Sequence, residues 1–214
     1  MFGFRKNVRV TAETALSGRE TPVADPRLPH RIFGEPLNAE HPGSQTAYFA
    51  LGCFWGAEKL FWRRPGVVST AVGYQGGFTP NPTYQQVCTG LTGHAETVRV
   101  VFDPSEISYA ELVRVFFESH DPTQGDRQGN DSGTQYRSAI FTVSDDQQQI
   151  AEKVRADYQH ALTDAGYGQI TTSIEPAPPF YLAEDYHQQY LDANPGGYDC
   201  HVRTGVACPA SAGT

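Results

Sequence analysis

The hydrophobic rhythm of the chain changes near residue 46. Before it, Pro22, Pro26, Pro29, Pro36 and Pro42 punctuate a polar stretch with little periodicity. Residues 1–45 therefore read as an N-terminal arm, extended over the domain or partly disordered. The run Thr46 to Leu51 is short and apolar enough for a buried strand, and Gly52 breaks it. Phe54, Ala57, Leu60 and Phe61 then recur at helical spacing until Pro65-Gly66 stops them. Val67 to Val72 reads as a second strand, which closes a βαβ unit with Cys53 at its first turn.

A long Gly/Pro loop follows, from Gly73 to Tyr84, and loops of that length in a compact domain are usually functional. Ala95 to Phe102 alternates: Glu96, Val98, Val100 and Phe102 share one face, and Thr97, Arg99 and Val101 the other. Ser108 with Glu111 spells a capping box, with Ile107 and Leu112 placed as a hydrophobic staple. That helix should end before Asp121-Pro122. A second polar loop spans Asp121 to Gln135, and Tyr136 to Val143 is the next strand. Ser144 with Gln147 is a second capping box, opening a helix with Ile150, Val154, Tyr158 and Leu162 on one face. Ile170 to Ile174 reads as a short strand and Ala183 to Leu191 as a short helix. The fold class predicted is α+β: a two-layer α/β sandwich of ferredoxin-like split βαβ type over residues 46–193. Residues 194–214 form a Gly-rich tail, expected to be irregular and mobile.

Composition narrows the function classes. The 214 residues are 39% hydrophobic and 19% charged, which suits an ordinary globule. No apolar run approaches the ~18 residues of a membrane helix. The first residues carry charge with no apolar stretch behind them, so the expected location is cytoplasmic. A formal net charge of −8 argues against non-specific nucleic-acid binding. The four cysteines, Cys53, Cys88, Cys200 and Cys208, should be reduced at rest in that compartment, and none forms a CxxC pair.

Cys53 is the sharpest candidate. At a helix N-terminus a thiol meets unpaired N–H groups and the positive dipole end, which favour the nucleophilic thiolate. The plainer alternative is a buried structural cysteine. Phe54 and Trp55, as adjacent helical positions, point in different directions and cannot both be ordinary core; they either wall a small pocket or pack. Glu96, on an otherwise apolar face, would be a protonated acid if buried. Taken alone, it reads more readily as a frayed strand end in water. Cys200 and Cys208 sit among glycines, where a relay of sulfenic acid and disulfides is possible chemistry. A metal site with His94, His187 or His201 fits no standard zinc spacing. Tyr84, Tyr136, Asp131 and His187 border the loops as individually weaker candidates, and Cys88 has no helix-start context and reads as non-catalytic.

Gly52-Cys53-Phe54-Trp55-Gly56 resembles the signature of the A-type peptide methionine sulfoxide reductases. Gly73 to Gly77, Asn81 to Tyr84, Gly93 to Glu96, Gly129 to Ser138 and Ala183 to Leu191 keep that family's blocks in order, so the likeness covers about residues 46–208. It implies an enzyme that reduces methionine-S-sulfoxide, in proteins, in peptides or free, as oxidative-stress repair. In that reading Cys53 attacks the sulfur. Glu96, Tyr84 and Tyr136 hold and protonate the oxygen. Phe54 and Trp55 take the methyl group, and Asp131 and His187 bind substrate. Cys200 would resolve the Cys53 sulfenic acid, Cys208 would form the last disulfide, and thioredoxin would reduce it. No cofactor, metal, nucleic acid or membrane is implied, and a monomer is expected. One departure stands out: Asp199 to Arg203 is bulkier and more charged than the family's glycine-rich resolving segment. A thiol peroxidase or a metal or redox sensor are the competing readings of the same thiols.

Overall fold

The computed structural model describes residues 9–198 and 202–209. In chain order the elements are β1 (Gln45–Leu51), α1 (Phe54–Trp62), β2 (Val67–Gln75), α2 (Tyr84–Cys88), β3 (Ala95–Phe102), α3 (Tyr109–Glu118), β4 (Arg127–Gln128), β5 (Asp131–Ser132), β6 (Ser138–Thr142), α4 (Asp145–Asp164), β7 (Ser173–Pro176), β8 (Tyr181–Leu182) and α5 (Tyr190–Ala193). Two 3-10 turns lie at Thr134–Tyr136 and Asp185–His187. Among the described residues no helix is long and apolar enough to cross a membrane.

Six strands form one sheet in the order β7-β6-β1-β3-β2-β8. β3 pairs antiparallel with both β1 and β2, so those two run parallel with a strand between them. That is the split βαβ arrangement expected from the order of elements. α1, α3 and α4 give the sheet its core: Phe49, Val98, Val100 and Phe102 of the strands are buried with Phe61, Leu112, Phe116 and Tyr158 of the helices. The Phe49 and Phe61 rings stack 5.0 Å apart. Ala50, Ala139 and Phe141 form a smaller cluster, with Tyr48 packed against it. Strand alternation explains the division, since Phe49 and Ala50 are neighbours in β1 and point to opposite faces.

Local chemistry sets the helix ends. Ser108 Oγ accepts from the Glu111 N–H at 3.1 Å, and Ser144 Oγ from the Gln147 N–H at 3.2 Å. Each is half of the box expected. Gln147 instead accepts from the Val143 N–H and donates to the Thr46 carbonyl, tying α4 to β1. The reciprocal box is at Thr83 and Gln86, where it starts a helix, α2, that periodicity did not predict. Gly66, with φ +84°, ends the α1 turn in a conformation reserved for glycine, and a Cβ there would lie 2.7 Å from Ile107.

Several expected elements differ. β2 runs on through residues 73–75, where the first loop was expected, because it pairs there with β3, and the second loop holds the β4–β5 pair. The strand expected at Ile170–Ile174 falls later, at Ser173–Pro176, because it pairs in parallel with β6, Ile174 opposite Ile140. The strand expected from Tyr136 begins at Ser138, since Tyr136 closes a 3-10 turn. The helix expected over Ala183–Leu191 is broken into a 3-10 turn and α5 by Gln189, which is left-handed at φ +46°.

The arm is tied to the body at several points. Leu16 N–H donates to the Leu91 carbonyl at 2.9 Å, and Thr79 Oγ1 donates back to the Leu16 carbonyl at 2.8 Å. His30 is buried, with Nε2 2.9 Å from Thr70 Oγ1 on β2.

Candidate active site

β1 ends at Leu51, and Gly52 turns the chain at φ +100°, where a side chain would be strained. That turn makes Cys53 the N-cap residue of α1. Cys53 is 6% exposed. The unpaired N–H groups of the first helical turn gather at this point.

Glu96 answers them from β3. The β1–β3 register runs to Phe49 opposite Val98, and two residues further along the two strands are Leu51 and Glu96. Glu96 Oε2 accepts from the Phe54 N–H at 3.0 Å, and the side chain is 2% exposed. Burial pushes its pKa up to about 8, with the Asp131 charge adding to it and the Phe54 N–H opposing. The carboxyl is thus an acid at neutral pH. With Oε2 engaged as acceptor, the proton belongs on the other oxygen. The apolar face on which the sequence put Glu96 is a buried face.

Two phenols face the same carboxyl. Tyr84 opens α2, its N–H donating to Glu184 Oε1 at 2.9 Å. Burial raises the pKa of its hydroxyl well above the ordinary value, and Glu96, Cys88 and Cys53 raise it further. Tyr136 behaves alike: burial dominates, then Glu96, Tyr84 and Asp131. Both phenols keep their protons and are hydrogen-bond donors for an oxygen placed against them. Asp131, on the two-residue strand β5, accepts from the Tyr198 hydroxyl at 3.2 Å.

Aromatic rings form the other wall. Phe54 is fully buried, and Trp55 is half-buried. Trp55 stacks on Tyr190 with centroids 3.9 Å apart and donates from Nε1 to His187 Nδ1 at 3.0 Å. His187 is 1% exposed and sits between the rings of Phe54, Trp55, Tyr84 and Tyr186. Burial lowers its pKa to about 4, against the pull of Glu184. The imidazole is neutral at pH 7. Because Nδ1 accepts, the ring proton belongs on Nε2, which lies 4.0 Å from Glu184 Oε2, beyond hydrogen-bond reach.

The structure therefore brings together Cys53, Phe54, Trp55, Tyr84, Glu96, Asp131, Tyr136 and His187. It does not bring Cys208 to them. Cys208 is 7% exposed, and its N–H donates to Glu118 Oε1 of α3 at 2.7 Å. Burial and then the Glu118 charge push its thiol up to about 12. Cys200 lies outside the described residues. Sequence reasoning gave no role to Tyr190, the stacking partner of Trp55, or to Glu184, which holds both the Tyr84 N–H and the Tyr74 hydroxyl. Their signal was their place in the Ala183 to Leu191 block. Cys88, set aside for lack of a helix start, ends α2 and hydrogen-bonds the Tyr84 hydroxyl.

Fold and site together define a cysteine-based α+β oxidoreductase. The peptide methionine sulfoxide reductase family model matches residues 45–211, and the chain belongs to that family. It is 59% identical over 210 residues to peptide methionine sulfoxide reductase MsrA 1 of Synechocystis, covering 98% of this chain and 94% of that one. The solved structure of methionine sulfoxide reductase A of Corynebacterium diphtheriae superposes with a TM-score of 0.85 at 51% identity, covering 94% of this chain and 98% of that one. Mxr1 from Saccharomyces cerevisiae, solved in complex with Trx2, matches at 25% identity and a TM-score of 0.52, over 77% of this chain and 94% of that one.

Proposed function

We propose that the protein reduces methionine-S-sulfoxide, in proteins, in peptides and free, and is recycled by thioredoxin in the cytoplasm. The observation that carries this reading is Glu96, a buried carboxyl held as an acid beside the N-cap cysteine. Sulfoxide reduction needs a proton for the oxygen and a thiolate for the sulfur in one place.

The substrate's methyl group would rest against Phe54 and Trp55, with Asp131 bordering its main chain. His187, expected from the sequence to bind substrate, is buried and instead braces Trp55. The sulfoxide oxygen would meet Glu96, Tyr84 and Tyr136. The Cys53 thiolate attacks the sulfur as Glu96 protonates the oxygen. A sulfur–sulfur bond forms and the S–O bond breaks, the protonated oxygen leaving as hydroxide. Hydroxide then adds to Cys53 Sγ, the S–S bond breaks, methionine leaves, and Cys53 is left as sulfenic acid. The Cys200 thiol condenses with it, releasing water and forming a Cys53–Cys200 disulfide. Cys208 as thiolate displaces Cys53 and forms Cys200–Cys208. Thioredoxin returns two electrons and two protons and leaves as its own disulfide. The Trx2 complex of Mxr1 supports that partner.

Separated S and R epimers of a methionine sulfoxide peptide, incubated with the protein and dithiothreitol, test the first half. Mass spectrometry should show loss of one oxygen from the S epimer alone; loss from neither epimer would remove the reading. Cys208→Ser tests the second half. It should complete one turnover and then stall with thioredoxin; normal thioredoxin-driven turnover would contradict the relay.

A further inference from the structure

The outer side of α1 ends in a groove that the reaction steps leave unused. It has a volume of about 360 Å³ and is lined by Gly56, Lys59, Leu60, Arg63, Arg64 and Arg203. α1 supplies Lys59 in its last turn, and its C-cap and the residue after it supply Arg63 and Arg64. Arg203 arrives from the far end of the sequence. Arg63, Arg64 and Arg203 are exposed. None of the four cations takes part in an ion pair among the described residues. The chain has only 16 basic side chains against 24 acidic ones, so four in one groove stand against an otherwise acidic surface.

Lys59 near a helix C-terminus complements the helix dipole, and that accounts for one cation. The dipole's end carries only about half a charge and does not offset four cations, the last of which, Arg203, is brought from the far end of the sequence. Unpaired like charges brought together from distant segments are a cost in the isolated chain, and an oppositely charged partner relieves it. The position of Arg203 says which partner. It lies between Cys200 and Cys208 in the sequence, inside the loop that their disulfide would close.

We propose that this groove is the docking face for the acidic surface of the thioredoxin-type protein that reduces the tail disulfide. The inference rests on the thioredoxin reading above and adds its site and its chemistry. Carboxylates on the reductant meet Lys59, Arg63, Arg64 and Arg203, which steers encounter and sets the reductant beside the disulfide-bearing loop. The small-molecule reductant dithiothreitol is uncharged and needs no such face.

Arg63→Glu/Arg64→Glu and, separately, Arg203→Glu test this, each assayed with thioredoxin and with dithiothreitol on the same sulfoxide peptide. With thioredoxin, kcat/KM should fall roughly tenfold or more in each variant, through KM. Added salt should lower the wild-type value and scarcely change the variants'. Turnover with dithiothreitol should be unchanged. Thioredoxin kcat/KM within twofold of wild type, or a salt dependence equal to wild type's, overturns the docking face. Loss of dithiothreitol turnover in both variants also overturns it, by making the groove part of the reductase chemistry. A wild-type protein that turns over with dithiothreitol and not with thioredoxin shows a different failure: the thioredoxin reading falls, and the docking face with it.

Discussion

Glu96 sets the pH behaviour of the site. Its folded pKa, about 8, is above the ordinary 4.5, so the folded state keeps a proton that the unfolded chain gives up. Stability from this group is present in full below about 4.5 and is lost as pH rises towards about 8. Glu96→Gln keeps an acceptor for the Phe54 N–H without that loss. The variant should melt higher than wild type at pH 8 and equal to it at pH 4, read by thermal denaturation. Its rate should fall by about 10²-fold or more, the usual worth of a general acid, and the decline of the single-turnover rate above pH 8 should vanish. Cys53→Ser, in contrast, should leave no sulfoxide reduction at any pH; residual turnover in the same assay would sink the nucleophile assignment.

The candidates legible at this scale were those with local signatures. Cys53 stood out because Gly52 and the start of a helical pattern bracket it in sequence. The face of Glu96 was readable from alternation with Val98, Val100 and Phe102. Its burial was not, because that depends on β2 and the start of α1 covering it. The web around His187 was least legible, since its members come from α1, α2 and the 3-10 turn at Asp185–His187.

At the scale of elements, one buried carboxylic acid joins four segments. Glu58, on the inner side of α1, accepts from the Gln189 N–H at 2.8 Å, from Gln189 Nε2 at 2.7 Å and from Thr70 Oγ1 at 2.9 Å. Thr70 is also the partner of His30 in the arm. These bonds explain the left-handed Gln189: its backbone turns aside so that its N–H and side chain both reach Glu58. No periodicity could foretell that break, because the cause lies 131 residues away. Gln189 lies between His187 and Tyr190, the two residues that hold Trp55. Glu58→Ala leaves a buried N–H without its acceptor and should cost about 3 kcal/mol in urea unfolding. It should also raise KM for the sulfoxide peptide, as Trp55 loses its brace. The strand β7 was displaced in the sequence reading for a related reason. Its register is set by β6 and not by its own apolar residues.

Over the whole molecule, the proposed relay requires movement. Residues 204–206 are held by two tyrosines: the Tyr158 hydroxyl bonds Thr204 Oγ1 at 2.7 Å and the Val206 carbonyl at 3.1 Å, and the Tyr167 hydroxyl bonds the Thr204 carbonyl at 2.9 Å. Docked there, Cys208 is a buried thiol with a pKa of about 12, a poor nucleophile. In the proposed relay, Cys208 becomes reactive on release of this segment from α4. Tyr158→Phe removes two of the three hydrogen bonds while keeping the ring in the core. Alkylation of Cys208 by iodoacetamide, followed by peptide mass spectrometry, should then be roughly tenfold faster. An unchanged rate would place the barrier elsewhere.

The sheet ends in two short strands. β8 is two residues long, and β7 is four residues long and closes on Pro176, which has no N–H to offer. Oxidised, partly unfolded polypeptides expose apolar segments that add readily to any long open strand. A protein built to meet such chains gives them little edge to extend, so its encounters with damaged clients can end in release instead of co-aggregation.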